Sequence, residues 1–509
     1  MIEEQMKEEE AIGEVTKAFG REIGVPSIQH VIKTAGNRSF LKIQVGRECP
    51  LYTSALFQIQ KSLSDDNPFR GALSLEAIKS EESFPNTLEA KALLTLLAKS
   101  TREVSEGQES GGFKVPYIPF PNAEDHQLAT PATHVIQGRR GVGKSTLIRR
   151  AAEILRDASN FVVIIDMQSY STLIAEELIT EVLYDICREL HILSKSDTDI
   201  GPKFQEISSD ILKDDISLSK VPVAIKRALA ELTKKHSNQV YIFLDDFHLI
   251  TRETQPRLLH YIHNSLKGAG GWLKVAGLNS LLDVYSPQDR EGLQIPGDAQ
   301  TISLDLTLEN PEAAEKHLKT ILENFLKAIG YSVTQTVMPA KAFKRLAWAA
   351  AGVPRDFLQM FARALEHAQR NRHSSVTISD VNIVIGEFGQ QKIDDLSRDA
   401  RNEADRLKSF LTKLEEVCLI EKKVNAFLVR HDDTEAKEKV HALSDLRMIH
   451  LIHRSITPDR AGERYEAYII DYSMFTGFRR RSGIHEMIPE EGQFRVNELR
   501  KLPKISVQR

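Results

Sequence analysis

Cysteine is scarce in this chain: its 509 residues include three, Cys49, Cys187 and Cys418. The three lie far apart and show no metal-ligand spacing, which argues against a zinc site and against a disulfide framework. Such sparse thiols are typical of proteins in the reducing cytoplasm, which is the location we expect.

Long apolar runs are also missing, because none approaches the roughly 18 residues of a membrane span, so we expect no membrane partner. The acidic start of the chain lacks the basic stretch and apolar run of a secretory signal. No excess of basic charge exists either: 67 Lys and Arg oppose 71 Asp and Glu, for a net charge of −4. This balance excludes a basic nucleic-acid coat but permits a local basic patch. A composition of 41% apolar and 27% charged residues predicts a globular protein.

Hydrophobic patterning divides the chain into four expected regions: 1–125, 126–308, 309–395 and 396–509. The first combines helical spacing in Glu8–Phe19 and Leu88–Leu97 with a period-two strand at Ser39–Val45. Its end, Gly107–Pro121, is rich in Gly and Pro and predicts a linker or an extended arm. No residue of this α/β region suggests a chemical role.

The second region alternates strands with helices. Its predicted strands are Thr133–Ile136, Phe161–Asp166, Val240–Leu244 and Trp272–Leu278. Alternation of this kind predicts a parallel sheet with helices on both faces. The stretch Ser194–Ser219, rich in Ser, Asp and Lys, is expected to be an inserted segment.

The third region predicts helices almost throughout, including Ala313–Leu326, Ala340–Ala351 and Arg355–Arg370. In the fourth region, two helices precede two strands. The expected elements are Ala404–Val417, Thr434–Leu443, Met448–Ile456 and Tyr465–Tyr472.

The sharpest motif follows the first strand of the second region and opens a helix. It reads Gly138, Arg139, Arg140, Gly141, Val142, Gly143, Lys144, Ser145, with Thr146 next. This is the G-x-x-x-x-G-K-[ST] phosphate-binding loop, in its expected strand–loop–helix context. Glycines let backbone N–H groups converge on phosphate oxygens, and the helix N-terminus adds a favourable dipole. Lys144 is expected to contact the β- and γ-phosphates of ATP, and Ser145 to bind Mg²⁺.

Two further strand ends carry polar side chains. Asp245 and Asp246 end the strand Val240–Leu244, where a Walker-B motif places its metal-binding aspartate. We expect Asp245 to hold Mg²⁺ and Asp246 to polarise the attacking water, although an acidic turn that caps the next helix is the alternative. Asn279 follows the strand Trp272–Leu278 and could position that water, while Asn is also common in turns.

A fourth signal lies in the helical region, where Gly352–Arg355 opens a helix with the sequence Gly-Val-Pro-Arg. Arg355 could reach the phosphates from a separate lid, and the alternative is a surface arginine at a helix start.

Together these motifs resemble the AAA+ ATPases, specifically the initiator clade of the origin-recognition-complex type. The resemblance implies an α/β fold: a P-loop AAA+ parallel-sheet core, a helical lid and a C-terminal winged-helix domain. It also implies that Asn279 is sensor one and Arg355 sensor two. In such assemblies a neighbouring subunit supplies an arginine finger, and Arg290 lies roughly where one is sought.

Two departures from the family pattern stand out. AAA+ enzymes usually have Asp-Glu at Walker B, whereas Asp245-Asp246 is one methylene shorter at the second position. The Asp-Asp form resembles the signal-transduction (STAND) ATPases, which act more as nucleotide switches. In addition, Lys144 and Asp245 are 101 positions apart, longer than in a compact AAA+ core.

The last region resembles a winged helix-turn-helix. Residues 401–509 contain 21 Lys and Arg against 18 Asp and Glu, opposite in sign to the whole chain. Arg454, Arg460, Arg464 and Arg479–Arg481 lie on or near the expected wing, where phosphate contact would give salt-sensitive affinity for DNA. A solvated, protein-binding face is the alternative.

The leading hypothesis is a slowly hydrolysing ATP- and Mg²⁺-dependent switch that binds double-stranded DNA and assembles with itself or with partner proteins. The alternative is a STAND-like signalling or antiviral-defence ATPase that works as a sensor or scaffold through protein contacts. A P-loop kinase is a third reading, which the lid and the winged helix disfavour.

Overall fold

The computed structural model describes residues 2–35, 38–78, 82–101, 113–213, 216–399, 404–458, 462–476, 483–488 and 494–506. Arg460, Arg479–Arg481 and positions 107–112 of the predicted arm lie outside these residues. Cys49, Cys187 and Cys418 are buried free thiols. No described helix has the length and apolarity that crossing a bilayer requires.

The N-terminal region is a small α/β layer packed on the lid. Its elements are α1 (Ile2–Ile23), β1 (His30–Ala35), β2 (Arg38–Val45), α2 (Pro50–Ser62), β3 (Leu73–Ala77) and α3 (Leu88–Thr101). Strand β2 pairs antiparallel with β1 and parallel with β3. The Arg47 guanidinium lies 3.8 Å from the centre of the Tyr331 ring and donates to the carbonyl of Gly330. The region is therefore attached to the helices that follow the core.

The core is the parallel sheet that the alternating pattern predicts. Its elements are α4 (Glu124–Leu128), β4 (His134–Gln137), α5 (Lys144–Asp157), β5 (Phe161–Asp166), α6 (Ala175–Leu193), α7 (Gly201–Leu212), α8 (Val221–His236), β6 (Val240–Asp245), α9 (Gln255–Leu266), β7 (Gly271–Gly277), β8 (Tyr285–Ser286), β9 (Glu291–Gly292) and β10 (Gln300–Ser303). The sheet order is β10-β4-β7-β6-β5, with neighbours parallel. The carboxyl ends of all these strands therefore meet at one edge.

Helices cover both faces of this sheet because successive strand residues point to opposite sides. On β6, Ile242 and Leu244 join the cluster under α6, α7, α8 and α9. Tyr241 and Phe243 join the cluster under α5. Apolar runs buried on both faces are what a parallel sheet requires.

The lid is helical, as predicted. It contains α10 (Pro311–Ala328), α11 (Thr334–Val337), α12 (Ala340–Ala350), α13 (Pro354–Arg370) and α14 (Ile378–Asp399). Asn310 caps α10 by accepting a hydrogen bond from the Ala313 N–H. Helix α13 packs against α3, α12 and α14 and buries Phe357, Phe361 and Leu365 at helical spacing.

The C-terminal domain has a winged-helix-like arrangement, which confirms the expected fold class. It contains α15 (Ala404–Leu414) with a π-helical extension (Glu415–Glu421), β11 (Ala426–Arg430), α16 (Thr434–Asp445), β12 (Ile449–Ile456), β13 (Tyr465–Ile470), α17 (Val496–Leu499) and β14 (Lys504–Ile505). The sheet order is β12-β13-β11-β14. The end of α16 packs on the segment Asn279–Leu281, which follows β7 in the core, so this domain reaches the carboxyl edge of the central sheet.

Candidate nucleotide-binding site

The phosphate-binding loop joins the end of β4 to the start of α5. Gly141 and Gly143 adopt φ of 77° and 110°, in the left-handed region that favours glycine. The buried Lys144 ammonium donates to the carbonyls of Gly138 and Arg139, at 2.8 and 3.2 Å. The lysine thus lies inside the ring that the loop backbone forms. Thr146 is the third residue of α5.

The predicted metal ligands lie together. Asp245 ends β6, and the Ser145 hydroxyl of α5 donates to its carboxylate. Burial and the neighbouring Asp246 raise the pKa of Asp245 to about 6, which is the behaviour of a buried carboxylate that faces another carboxylate. Mg²⁺ in nucleotide sites is usually bound by one or two protein oxygens together with phosphate oxygens and water, and the Ser145 hydroxyl beside the Asp245 carboxylate fits that pattern. In the described residues, no group of three or more His, Cys, Asp or Glu could hold a metal by itself.

The two residues predicted to act on water border this pair. Asp246 has a left-handed backbone with φ of 50°, and its N–H donates to the Asp245 carboxylate at 2.9 Å. Asn279 is exposed and begins a short 3₁₀ helix, one residue after the end of β7. Because β7 lies between β4 and β6, Asn279 is at the same sheet edge as the phosphate loop and Asp245.

Arg355 comes to this site from the lid. It is the second residue of α13, and its N–H donates to the Gly141 carbonyl at 3.3 Å. The structure thus places the predicted lid arginine against the phosphate loop. Arg290 differs: it is exposed on the β8–β9 hairpin, and the described residues show no contact of its side chain with the phosphate loop.

Two carboxylates at the site, those of Asp305 and Asp445, were not predicted from the sequence. Asp305 follows β10 and accepts from the N–H and the Nε of Arg139, at 2.9 and 3.1 Å. Asp445, at the end of α16, accepts from the Ser280 N–H at 2.7 Å. A polar residue just after a strand could have signalled Asp305, but nothing local marks Asp445. Burial lowers the pKa of Lys144, and the four carboxylates Asp245, Asp246, Asp305 and Asp445 act in the opposite direction.

Arg139 connects the phosphate loop with three regions. Its guanidinium is buried and donates to the carbonyls of Leu306 and Ala351, at 3.1 and 3.0 Å. It also lies 3.2 Å from Nδ1 of His450 on β12. Because a guanidinium only donates, His450 must accept at Nδ1 and donate from Nε2 to Asp471, 2.7 Å away. Burial lowers the pKa of His450 to about 4, in agreement with a neutral ring.

A comparison with protein families agrees with this geometry. Residues 124–268 match the model described as the AAA ATPase domain. The chain contains an AAA ATPase domain. This confirms the AAA+ ATPase resemblance for the part of the chain that contains the phosphate-binding loop. The domain boundaries and the individual residue roles remain predictions.

Solved structures show weaker likeness. The Orc1 protein of Aeropyrum pernix in complex with DNA is 16% identical, with 70% of this chain and 91% of that chain covered and a TM-score of 0.39. Drosophila ORC bound to DNA is 13% identical, with 81% of this chain and 95% of that chain covered and a TM-score of 0.36. A Walker-type ATPase of Pyrococcus abyssi is 13% identical, with 70% of this chain and 97% of that chain covered and a TM-score of 0.39. At these values the likeness says nothing about what the AAA ATPase domain of this chain acts on. The comparison with curated proteins found no match.

Proposed function

We propose that this chain is an ATP-dependent molecular switch of the origin-recognition-complex-like initiator kind, whose C-terminal domain binds double-stranded DNA. The contacts of Arg139 carry the proposal. This one phosphate-loop side chain contacts Asp305 of the core, Ala351 at the start of the lid motif and His450 of the C-terminal domain. A ligand that shifts the loop backbone must therefore act on all three regions.

The residues at the sheet edge have complementary roles in this switch. The loop N–H groups and Lys144 would hold the phosphates, while Ser145 and Asp245 would hold Mg²⁺. When bound, Mg²⁺ neutralises phosphate charge and orients the terminal phosphate. Asp246 would polarise the attacking water, with Asn279 beside it and Arg355 contacting phosphate from the lid. The short side chain of Asp246 favours slow turnover, which suits a switch better than a processive motor.

DNA binding is best supported by a basic groove on the C-terminal domain. The groove has a volume of about 900 Å³, and the basic residues among those lining it are Lys422, Arg500, Lys501 and Lys504, with no acidic residue among them. The wing is less suitable, because Arg454 is ion-paired with Glu309 at 2.9 Å. Clustered cations without carboxylates favour a phosphate backbone in the groove.

A salt-dependent DNA-binding titration tests this function. The wild-type chain should bind duplex DNA with an affinity that falls steeply with salt and that changes when ATP is added. Lys144→Ala should abolish the effect of ATP by removing the phosphate-binding ammonium, whereas Lys220→Ala, an exposed lysine, should not. Arg500→Gln with Lys501→Gln should lower the slope of log affinity against log salt by about 2. Arg454→Gln is the control on the wing.

The same titration separates the two candidate functions. Equal salt slopes in the wild type and the groove variant would remove the groove from the proposal. No duplex binding even at low salt would remove DNA binding altogether and favour the STAND-like alternative. The docking of α16 on the core next to the phosphate loop is the observation that favours that alternative, because a docked domain can report nucleotide state through protein contacts.

Assembly with further copies belongs to the same proposal. Arg290 sits on an exposed hairpin with φ of 59°, apart from the phosphate loop of its own chain. An arginine in that position suits contact with the nucleotide of a neighbouring subunit. Mass photometry of the titration samples, with and without ATP, measures whether copies associate.

A further inference from the structure

Asp445 lies between two parts of the nucleotide site although it belongs to the C-terminal domain. Its carboxylate accepts from the Ser280 N–H at 2.7 Å, and its backbone carbonyl accepts from the Arg140 N–H at 3.3 Å. The side chain is buried, with 7% of the residue exposed. The last residue of α16 therefore bridges the phosphate loop and the segment that begins with Asn279.

Both contacts of Asp445 are made to groups that lie where the terminal phosphate of a nucleotide is expected. The Arg140 N–H is one of the phosphate-loop amides that would otherwise be available to phosphate oxygens. Ser280 follows Asn279, which would have to face the terminal phosphate to position water. A group that contacts both Lys144 and Asn279 must therefore come close to Asp445.

Charge makes this proximity unfavourable. Lys144 is the loop cation expected to contact the terminal phosphates, and four carboxylates already act on it: Asp245, Asp246, Asp305 and Asp445. Burial and the proximity of Asp305 raise the pKa of Asp445, while Lys144 opposes that shift. A third phosphate adds negative charge beside a buried carboxylate, whereas a diphosphate ends farther from it.

We infer that Asp445 discriminates between nucleotides: with α16 docked, the site accepts a nucleoside diphosphate, and a triphosphate must displace the end of α16. The inference rests on the proposed nucleotide site and adds a specificity determinant from another domain. It also gives the switch a physical cause, because the third phosphate and the C-terminal domain compete for the same place.

Calorimetric titration of the full chain with ADP and with ATPγS, both with Mg²⁺, tests this inference. Asp445→Asn keeps an oxygen that can accept from Ser280 but removes the charge. We expect this variant to raise the affinity for ATPγS relative to ADP about tenfold. Asp433→Asn is the matched control: it makes the same change at the other end of α16, about 18 Å away, where Asp433 caps the helix and Asn caps equally well.

Hydrogen exchange provides a second readout, which does not depend on affinity. In the wild-type chain, ATPγS but not ADP should speed exchange in peptides that contain Ser280 and Arg140, because the end of α16 leaves. In Asp445→Asn this difference in exchange between the two nucleotides should shrink. If Asp445→Asn does not fold properly, Asp445→Ser replaces it, and we expect the same smaller difference.

If the ratio of the affinities for ATPγS and ADP did not change in Asp445→Asn, or changed equally in Asp433→Asn, the inference would be overturned while the proposed function would stand. If the wild-type chain bound neither nucleotide, the proposed function would fail first and the inference with it. These failures are therefore distinguishable in one titration series.

Discussion

The backbone conformation at Asp246 explains why this residue is an aspartate. Its φ of 50° and ψ of 37° lie in the left-handed region, which Asp and Asn adopt more readily than longer side chains do. The Asp-Asp pair, a departure from the usual AAA+ pattern, thus follows from the turn that ends β6. The turn sets the reach of the carboxylate, and with it the expected slow hydrolysis.

Asp246→Asn is accordingly a clean probe, because Asn tolerates the same backbone conformation. We expect it to lower the rate of ATP hydrolysis about 10- to 100-fold, since an amide cannot take a proton from water, with nucleotide affinity nearly unchanged. Single-turnover hydrolysis and a binding titration measure the two effects. Asp157→Asn, at the exposed end of α5, is the control. Normal hydrolysis in Asp246→Asn would assign water activation to another group.

At the scale of elements, the sequence predicted the parts whose structure is locally determined. Strands β5 and β6 are continuous apolar runs, and the phosphate loop carries its own pattern. Strand β10 was missed, because only Ile302 of its residues is buried and its pairing with β4 defines it. Asp305 and Asp445 were missed for a related reason: their contacts at the site join residues 166 and 165 positions apart.

The contact between the lid and the phosphate loop can be tested at Gly141. A Cβ there would lie 2.9 Å from the Cβ of Arg355, and the residue has φ of 77°. We expect Gly141→Ala to destabilise the fold by about 1–2 kcal/mol and to weaken nucleotide binding, because α13 must move away from the loop. Urea unfolding and a nucleotide titration measure these effects.

Gly13→Ala is the matched control, since Gly13 lies within α1 and a Cβ there meets nothing within 4 Å. It should leave nucleotide binding unchanged and keep or raise stability. If Gly141→Ala bound nucleotide normally, the close approach of α13 would have no part in binding.

In the molecule as a whole, three of the four regions that the sequence separated share one apolar core, whereas the sheet of residues 126–308 packs in clusters of its own. A single cluster of buried side chains includes Phe19 of α1, Phe361 of the lid and Phe427 of the C-terminal domain. Buried charges cross the same boundaries: Lys392 of α14 pairs with Asp471 at 2.6 Å, and Arg447 pairs with Asp356 of α13. Sequence patterns show which faces are apolar, but not which regions those faces meet.

His450 joins this buried network to the phosphate loop and should make the stability of the protein depend on pH. Arg139, Asp471 and Lys392 surround its ring, and burial lowers its pKa to about 4 from an ordinary 6.5. Between these values the unfolded chain binds more protons than the folded one, so the free energy of unfolding decreases as pH falls. From pH 7 to pH 5 the contribution of His450 is about 2 kcal/mol.

His450→Gln cannot be protonated, although its amide can still donate to Asp471. Urea unfolding at pH 5 and pH 7 should therefore show a smaller loss of stability in this variant than in the wild type, by about 2 kcal/mol. His30→Gln, an exposed histidine on β1, should behave as the wild type does. If the three proteins lost stability equally, the ring would be charged in the folded state, and Arg139 could not donate to Nδ1. The link between the phosphate loop and the C-terminal domain would then depend on Asp445 rather than on His450.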